Sequence, residues 1–350
     1  MHHLAYSDIK AAADRITGSV RPVTVAPVDS GAVAPPSHSP LGEGQERGCD
    51  VWLAMEFMQH TGSFKARGAQ NFIQSHREAG TLPDAGVTIA SGGNAGLACA
   101  WAAQQQGVRA TVFLPANAPR VKVAKLRAYG ADVRLTGTEY AEALAASEAF
   151  AATSGALTSH AYDHPLIAAG AGTLVEEILR HIPDLDTVVV AVGGGGLLAG
   201  VATAAGHHGI RTVAVEPEFC RALNAALEAG TPVDVSLNSV AADSLGARRT
   251  SHMALHAAQH NDVHSVLVPD TEIIRARRAL WDHRRLVVEH GAATALAGLT
   301  SAGRCPQDAP ANADGRNYGY RPGDGEKICV VLCGANTDPT DLVDDGPDRA

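Results

Sequence analysis

Lys65 is the first residue whose surroundings suggest chemistry, and it lies in the lysine segment Thr61-Gly62-Ser63-Phe64-Lys65-Ala66-Arg67-Gly68-Ala69. The sequence predicts that this segment leads from a loop into a helix, with Lys65 in the first turn. The positive end of the helix dipole disfavours an ammonium group there and so favours the neutral amine. A neutral lysine amine is the nucleophile that attacks an aldehyde. When the segment is taken alone, an exposed lysine at a helix start is the favoured explanation.

A second segment, the asparagine loop Ser91-Gly92-Gly93-Asn94-Ala95-Gly96, lies between a predicted strand and a predicted helix. Its small residues allow several backbone N–H groups to point into one concavity, which suits a carboxylate or a phosphate. Asn94 adds one directed hydrogen bond. A tight strand–helix turn without a ligand is the alternative explanation.

A third segment, the phosphate loop, consists of Gly193, Gly194, Gly195, Gly196 and Leu197 and follows a predicted strand. Consecutive glycines allow a ligand to approach the backbone closely, and the free N–H groups at a helix start favour phosphate. A dinucleotide site is the rival interpretation. Gly194-x-Gly196-x-x-Ala199 fits the dinucleotide fingerprint, and Glu216 lies 20 residues beyond Gly196.

A dinucleotide site leaves the lysine segment and the asparagine loop unexplained. A lysine nucleophile, an anion-binding loop with an asparagine, and a separate glycine-rich loop together indicate pyridoxal 5′-phosphate. Lys65 then forms the covalent link to the cofactor aldehyde, the phosphate loop holds the 5′-phosphate, and the asparagine loop holds a substrate carboxylate.

These motifs resemble those of the serine/threonine dehydratases, pyridoxal-phosphate enzymes with the tryptophan-synthase-β-like fold (fold type II). Residues 63–69 resemble the family's S-F-K-x-R-G-A motif, the asparagine loop resembles its S-x-G-N loop, and residues 192–197 resemble its phosphate loop. Cys333-Gly334-Ala335-Asn336 is similar to the family's C-terminal Ser-Gly or Cys-Gly segment. Two further matching stretches are Tyr162-Asp163-His164-Pro165-Leu166-Ile167 and Val287-Val288-Glu289-His290-Gly291-Ala292. The resemblance covers nearly the whole chain in the same order.

The resemblance implies a role for each matching residue. Lys65 is the Schiff-base lysine and the base that removes the α-proton, Asn94 bonds the cofactor's 3′ oxygen, and Cys333 faces the pyridine nitrogen. A thiol cannot stabilise a charged pyridinium as a carboxylate does, which favours elimination over transamination. The expected cofactor contacts are Lys65, Phe64, Asn94, Gly193, Gly194, Gly195, Gly196, Leu197 and Cys333. The expected substrate contacts are Ser91, Gly92, Gly93 and Ala95.

Two positions depart from parts of the family pattern. Some amino-acid racemases of the family carry a serine, used as a second acid/base, where this chain has Gly92, so we expect racemisation to be weak. The family's cation-binding carboxylate corresponds to Glu216, with the Cys220 carbonyl nearby. Ala222 supplies no second carboxylate, which favours a monovalent cation such as K⁺ over a divalent one.

The predicted function is a lyase reaction, the pyridoxal-phosphate-dependent α,β-elimination of a 3-hydroxy amino acid. L-Threonine, L-serine or a related compound gives a 2-oxo acid and ammonia. The alternative within the same fold is β-replacement, as in cysteine synthase, but those relatives usually carry an acidic residue where this chain has Ala66. An oxidoreductase that uses a dinucleotide at residues 194–199 and Glu216 is the alternative from another class.

Composition limits the remaining possibilities. The chain has 350 residues, 45 % of them hydrophobic, and a net charge of −9, which disfavours binding to nucleic acid or to an anionic membrane surface. We find no signal peptide and no apolar run near the roughly 18 residues of a membrane span. Six scattered cysteines show no metal-binding spacing. We expect a cytoplasmic protein with a small amino-acid substrate, and the family resemblance implies a homodimer.

Strand–helix alternation from residue 64 onward predicts an α/β fold of two domains. Each is expected to be an open, twisted, mostly parallel sheet with helices on both faces. Residues 1–75 and 166–350 are predicted to form the large cofactor-binding domain, and residues 76–165 the small domain that grips the substrate. Residues 303–326 are predicted to be a surface insertion. Glu176 and Glu177 are interpreted as a solvated helix start.

Overall fold

The computed structural model describes residues 3–29, 49–301 and 318–343. Ten strands lie within these ranges. In chain order they are β1 (Val25–Pro27), β2 (Asp50–Ala54), β3 (Val87–Ala90), β4 (Ala110–Leu114), β5 (Asp132–Leu135), β6 (Leu157–Thr158), β7 (Thr187–Ala191), β8 (Arg211–Pro217), β9 (Val263–Val268) and β10 (Lys327–Val331).

The strands form two sheets. The larger has six strands in the order β1-β2-β10-β7-β8-β9, and the smaller has four in the order β5-β4-β3-β6. Only the β1–β2 pairing is antiparallel within the described residues, and every other pairing is parallel. The predicted α/β fold with two mostly parallel sheets is confirmed.

Helices cover the sheets and connect the parallel strands. In chain order they are α1 (Tyr6–Ile16), α2 (Lys65–Glu78), α3 (Asn94–Gln105), α4 (Arg120–Ala128), α5 (Tyr140–Ser154), α6 (Pro165–His181), α7 (Gly196–His207), α8 (Ala222–Ala229), α9 (Ala242–Leu245), α10 (His252–His260), α11 (Asp270–Arg284), α12 (His290–Thr300) and α13 (Thr340–Val343). Helix α6 packs against both α2 and α7. No helix of the described ranges is long and apolar enough to cross a membrane.

Each sheet has its own apolar core. Every residue of β7 is buried, and Val188, Val189 and Val190 lie at the centre of the larger core. The core of the smaller sheet is built around α3, whose residues Ala95 to Ala103 are all buried. Because helices cover both faces of the central strands, these strands are continuously apolar rather than alternating.

Helix α6 begins earlier than its sequence pattern suggested. Pro165 occupies the first turn, and Nδ1 of His164 accepts a hydrogen bond from the Leu166 amide, which caps the helix. Glu176 and Glu177 therefore lie well inside α6, and their interpretation as a solvated helix start is wrong. Glu177 instead receives hydrogen bonds from the buried Arg67 guanidinium.

The strand order places the motifs at one edge of the larger sheet. The lysine segment comes after β2, Cys333 follows β10 and the phosphate loop follows β7, and these three strands are neighbours. The carboxyl ends of parallel strands meet at the same edge, which is where ligands bind in such sheets. The asparagine loop follows β3 at the corresponding edge of the smaller sheet.

The predicted domain boundaries at residues 75/76 and 165/166 remain a prediction. Residues 303–317 of the predicted surface insertion lie outside the described residues. The remaining part of that segment runs beside the larger sheet, where Tyr318 pairs with Leu267 and Tyr320 is buried.

Candidate active site

Lys65 is the first residue of α2 and is partly buried. Its Nζ donates a hydrogen bond to the Ala161 carbonyl at 3.1 Å and lies 4.7 Å from the centre of the Phe64 ring. Burial lowers the pKa of Lys65 to about 8, and the neighbouring Cys333 and Glu289 partly oppose this shift. The lysine amine is therefore neutral in a much larger fraction than an exposed lysine amine at the same pH.

The loop before Lys65 is fastened to the segment after β10. The Phe64 amide donates to the Cys333 carbonyl at 3.0 Å, and the Ala335 amide donates to the Gly62 carbonyl at 2.9 Å. Thr61 has φ 62°, an unusual backbone conformation for a β-branched residue. These contacts hold Cys333 and Lys65 at fixed positions relative to each other.

A buried ion-pair cluster anchors the first turn of α2 from the opposite side. Arg67 is fully buried, and its guanidinium contacts Glu56 at 2.5 Å and Glu177 at 2.7 Å. Burial disfavours the charge of Arg67, but the two carboxylates outweigh burial and raise the pKa of Arg67. The cluster links α2 to α6 and to the short 3₁₀ turn Glu56–Met58, so it limits movement of Lys65.

The glycines of the phosphate loop pack closely against neighbouring residues. A Cβ at Gly194 would lie 2.4 Å from the Tyr162 ring, and one at Gly195 would lie 2.3 Å from Cβ of Ala254. Gly195 also has φ +93°, which disfavours any other residue. The amides of residues 193–197 donate no hydrogen bond to any atom of the described chain. The loop therefore presents a row of free N–H groups at the start of α7.

The asparagine loop has the same property. The amides of residues 92–95 lack hydrogen-bond acceptors among the described residues. A Cβ at Gly92 would lie 2.8 Å from Cδ2 of Leu114, so Leu114 fills the space that a side chain at position 92 requires. A Cβ at Gly96 would lie 1.9 Å from the Ser91 carbonyl oxygen, so the loop has no room for a side chain at position 96.

Two residues to which the sequence analysis gave no role contact Asn94. Nδ2 of Asn94 donates to the Glu289 carboxylate at 2.9 and 3.1 Å, and Oδ1 of Asn94 accepts from Nδ2 of Asn336 at 2.8 Å. Both residues lie in stretches that match the family pattern. The family resemblance therefore marked the stretches that contain Glu289 and Asn336. Nothing in the sequence, however, shows that these stretches meet Asn94.

Cys333 is buried at the end of the segment that follows β10. Burial raises the pKa of the Cys333 thiol to about 12, and the nearby Glu289 adds to this effect. The thiol is therefore neutral at physiological pH. The contact of Cys333 with an uncharged pyridine nitrogen, which would need such a neutral thiol, stays a prediction.

Glu216 lies at the end of β8 and is fully buried. Its two carboxylate oxygens accept hydrogen bonds from the amides of Leu223 at 2.7 Å and Asn224 at 2.8 Å. Burial raises the pKa of Glu216 to about 8. The carboxylate faces the start of α8, which argues against the ribose contact that a dinucleotide site requires.

The described residues fit pyridoxal 5′-phosphate. The site combines a lysine with a lowered pKa, a row of free amides at a helix start, a second set of free amides and a neutral buried thiol. The buried hydroxyls of Thr61 and Ser63, next to the lysine, also lack a hydrogen-bond partner within the described chain. No cluster of three metal-binding side chains occurs in the part of the chain that the structure describes.

Comparison with known proteins agrees with this assignment. The family model described as "Pyridoxal-phosphate dependent enzyme" matches residues 36–313, and the chain belongs to this family. The chain is 35 % identical to the human protein named serine dehydratase-like, over 89 % of this chain and 94 % of that one. It is 37 % identical to an L-threonine ammonia-lyase of Geobacter sulfurreducens, over 73 % of this chain and 63 % of that one. The structure of maize serine racemase superimposes with a TM-score of 0.82 at 26 % identity, covering 97 % of this chain and 96 % of that one.

These findings confirm the predicted family, fold and enzyme class, with pyridoxal phosphate as the cofactor. They disfavour the dinucleotide interpretation. The individual roles of the predicted site residues stay predictions. The structure brings Lys65, Phe64, Asn94 and Cys333 together through direct contacts, either with one another or through Glu289 and Asn336.

Proposed function

We propose that this protein is an ammonia-lyase that converts L-threonine, L-serine or a related 3-hydroxy amino acid into a 2-oxo acid and ammonia. The observation that carries the proposal is the geometry around Lys65: its Nζ donates to the Ala161 carbonyl, and the adjacent Tyr162 packs on Gly194 of the phosphate loop, whose amides are free. The relatives named threonine ammonia-lyase and serine dehydratase-like support the same reaction class.

Bound pyridoxal phosphate supplies an electron-withdrawing ring that makes the α-proton of the amino acid acidic. The free amides of the phosphate loop would bind its phosphate, and those of the asparagine loop would bind the substrate carboxylate. Lys65 would hold the cofactor covalently, and its free amine would accept the α-proton. The neutral Cys333 thiol would add no negative charge to the ring, which would limit transamination.

Two features favour elimination over β-replacement and racemisation. Ala66 is fully buried and supplies no acidic group, whereas β-replacement enzymes usually carry an acidic residue after the lysine. Similarity to serine racemase makes racemisation the second candidate. Gly92 provides no acid/base group, and Leu114 occupies the adjacent space.

The test is to titrate cofactor-free protein with pyridoxal phosphate and to measure ammonia release from a panel of 3-hydroxy amino acids. Wild-type protein is expected to bind the cofactor with visible absorbance and to release ammonia. Borohydride is expected to fix the cofactor to Lys65. The turnover of Lys65→Ala is expected to be below about a hundredth of the wild-type turnover, because the substitution removes both the nucleophile and the base. Activity above that level contradicts the assigned role.

A monovalent cation, K⁺, is proposed beside Glu216. The carboxylate is fully buried, burial raises its pKa, and a cation would compensate its negative charge. Thermal stability and ammonia release are expected to be higher in K⁺ than in an equal concentration of choline chloride. Glu216→Gln is expected to abolish that difference. Equal behaviour in both salts contradicts the proposal.

A homodimer and a cytoplasmic location complete the proposal, and both rest on the family resemblance and on the composition of the chain. Sedimentation equilibrium of the purified protein tests the first, and cell fractionation tests the second. A monomer at all concentrations contradicts the first, and a secreted or membrane-bound pool contradicts the second.

A further inference from the structure

Three parts of the chain that are far apart in sequence meet at Asn94. Glu289 precedes α12 and is buried, and Asn336 follows β10. Nδ2 of Asn94 donates to Glu289, the Asn336 backbone amide donates to Oε1 of Glu289 at 2.8 Å, and Nδ2 of Asn336 donates to Oδ1 of Asn94. The three residues therefore form a closed ring of hydrogen bonds, which we call the Asn94 ring.

The Asn94 ring is also fixed from outside. Nδ2 of Asn336 donates a second hydrogen bond to the Thr61 carbonyl at 2.6 Å, and the Glu289 amide donates to the Gly334 carbonyl at 3.0 Å. A Cβ at Gly334 would lie 2.8 Å from Oε2 of Glu289, so the carboxylate has little room to move. The ring thus connects the asparagine loop to the segments that carry Lys65 and Cys333.

The chemistry of the partners determines which end of the Asn94 amide points where. An ionised carboxylate can only accept hydrogen bonds, whereas an amide has a donor end and an acceptor end. If the Asn94 side chain turned over, its Oδ1 would face the carboxylate and its Nδ2 would face Nδ2 of Asn336. Both contacts would then be unfavourable, so Glu289 and Asn336 together allow one orientation only.

One hydrogen of Asn94 can serve both oxygens of Glu289, because the two distances are 2.9 and 3.1 Å. The second hydrogen on Nδ2 is then left for a ligand, since the described residues supply no further acceptor for it. We propose that Glu289 is a positioning residue that makes Asn94 present an N–H donor to the cofactor. This inference rests on the proposed function, in which Asn94 bonds the 3′ oxygen of pyridoxal phosphate.

The first test is Glu289→Gln in the full chain. Glutamine keeps an oxygen at the Oε1 position, which accepts from Nδ2 of Asn94 and from the Asn336 amide, but it puts Nε2 in place of Oε2, which lies 3.1 Å from Nδ2 of Asn94. A donor then faces a donor, and the uncharged side chain favours this orientation of Asn94 less strongly. Cofactor-free variant and wild type are titrated with pyridoxal phosphate, and the affinity and absorbance spectrum are recorded. We expect an affinity loss of about tenfold or more, because charge-assisted hydrogen bonds are stronger than neutral ones. We also expect a shifted absorbance maximum.

The double variant Asn94→Asp with Glu289→Gln separates orientation from simple structural support. It reverses donor and acceptor between positions 94 and 289, leaves the two hydrogen bonds donated by Asn336 in place and keeps the net charge. Every hydrogen bond of the ring can therefore form again. Position 94 then has no N–H to offer. We expect the melting temperature of the cofactor-free protein to return to near the wild-type value, while the cofactor affinity stays low. Recovery of both properties would overturn the proposal.

Asn336→Ser is a second single variant, which removes the donor to Oδ1 of Asn94 and is expected to lower the cofactor affinity less than Glu289→Gln.

Glu218→Gln is the matched control, because Glu218 is a partly buried carboxylate that accepts from Tyr318 away from the ring. It is expected to bind pyridoxal phosphate like wild type. Wild-type affinity in both Glu289→Gln and Asn336→Ser refutes the inference even if the double variant does not fold. Wild-type protein that binds no cofactor instead refutes the proposed function.

Discussion

Replacing Lys65 by methionine is expected to make the cofactor-free protein more stable at neutral pH, while turnover is lost. Methionine has a similar length and no charge, so the change removes the partly buried ammonium group with little loss of packing. Burial lowers the pKa of Lys65 from its ordinary 10.5 to about 8. The folded state therefore binds this proton less tightly than the unfolded state does.

The sign and size of the effect follow from proton linkage. Below pH 8 the lysine is charged in both states, and its burial reduces the free energy of unfolding by about 3 kcal/mol. The penalty becomes smaller as the pH rises from 8 to 10.5, reaches about 1.4 kcal/mol near pH 9.5, and disappears above 10.5. The free energy of unfolding of Lys65→Met is therefore expected to exceed that of wild type by about 3 kcal/mol at pH 7. This difference, the stability gap between variant and wild type, becomes smaller as the pH rises above 8.

Urea unfolding of cofactor-free wild type and variant at pH 7 and pH 9.5 measures this gap. Lys122→Met is the control, because Lys122 is a half-exposed lysine paired with Asp243, and the change in the free energy of unfolding is expected to stay within about 0.5 kcal/mol. A Lys65→Met protein that is less stable than wild type at pH 7, or a gap that does not change with pH, refutes the reasoning.

Three further outcomes are expected. Wild-type protein acting on L-serine should release ammonia without forming D-serine, and Gly92→Ser combined with Leu114→Ala should raise D-serine formation at least tenfold by chiral analysis, since a positioned acid/base group contributes about 10²–10⁴-fold. Gly92→Ser alone should do less, because Leu114 obstructs the new side chain. Arg67→Met should lower the free energy of unfolding by about 3–5 kcal/mol, because Glu56 is left buried without its main partner. Gly195→Ala should weaken pyridoxal phosphate binding and lower the melting temperature, since φ +93° and the Ala254 contact both oppose a Cβ; unchanged values contradict the crowding seen here.

Local sequence patterns determined most of the fold. Strands β3 and β4 begin and end where their mostly apolar runs do, because each is a short buried run between turn residues. The lysine segment and the two glycine-rich loops could be identified because their functions depend on local backbone features: a helix start, free amides and the absence of side chains. The same loops also matched a dinucleotide site, and only the combination of motifs separated the two interpretations.

Tertiary structure alone decided which distant residues meet. Glu177 appeared to be a solvated residue, yet the packing of α6 against α2 places it on the buried Arg67. Glu289 and Asn336 lie in stretches that match the family pattern, but only the packing of α12 against β7 and β10, together with the position of Asn336 after β10, brings them to Asn94. Burial likewise set the pKa of Lys65, since its sequence position predicts only the direction of the shift. Contacts between loops far apart in sequence depend on strand order and helix packing, and no local pattern encodes either.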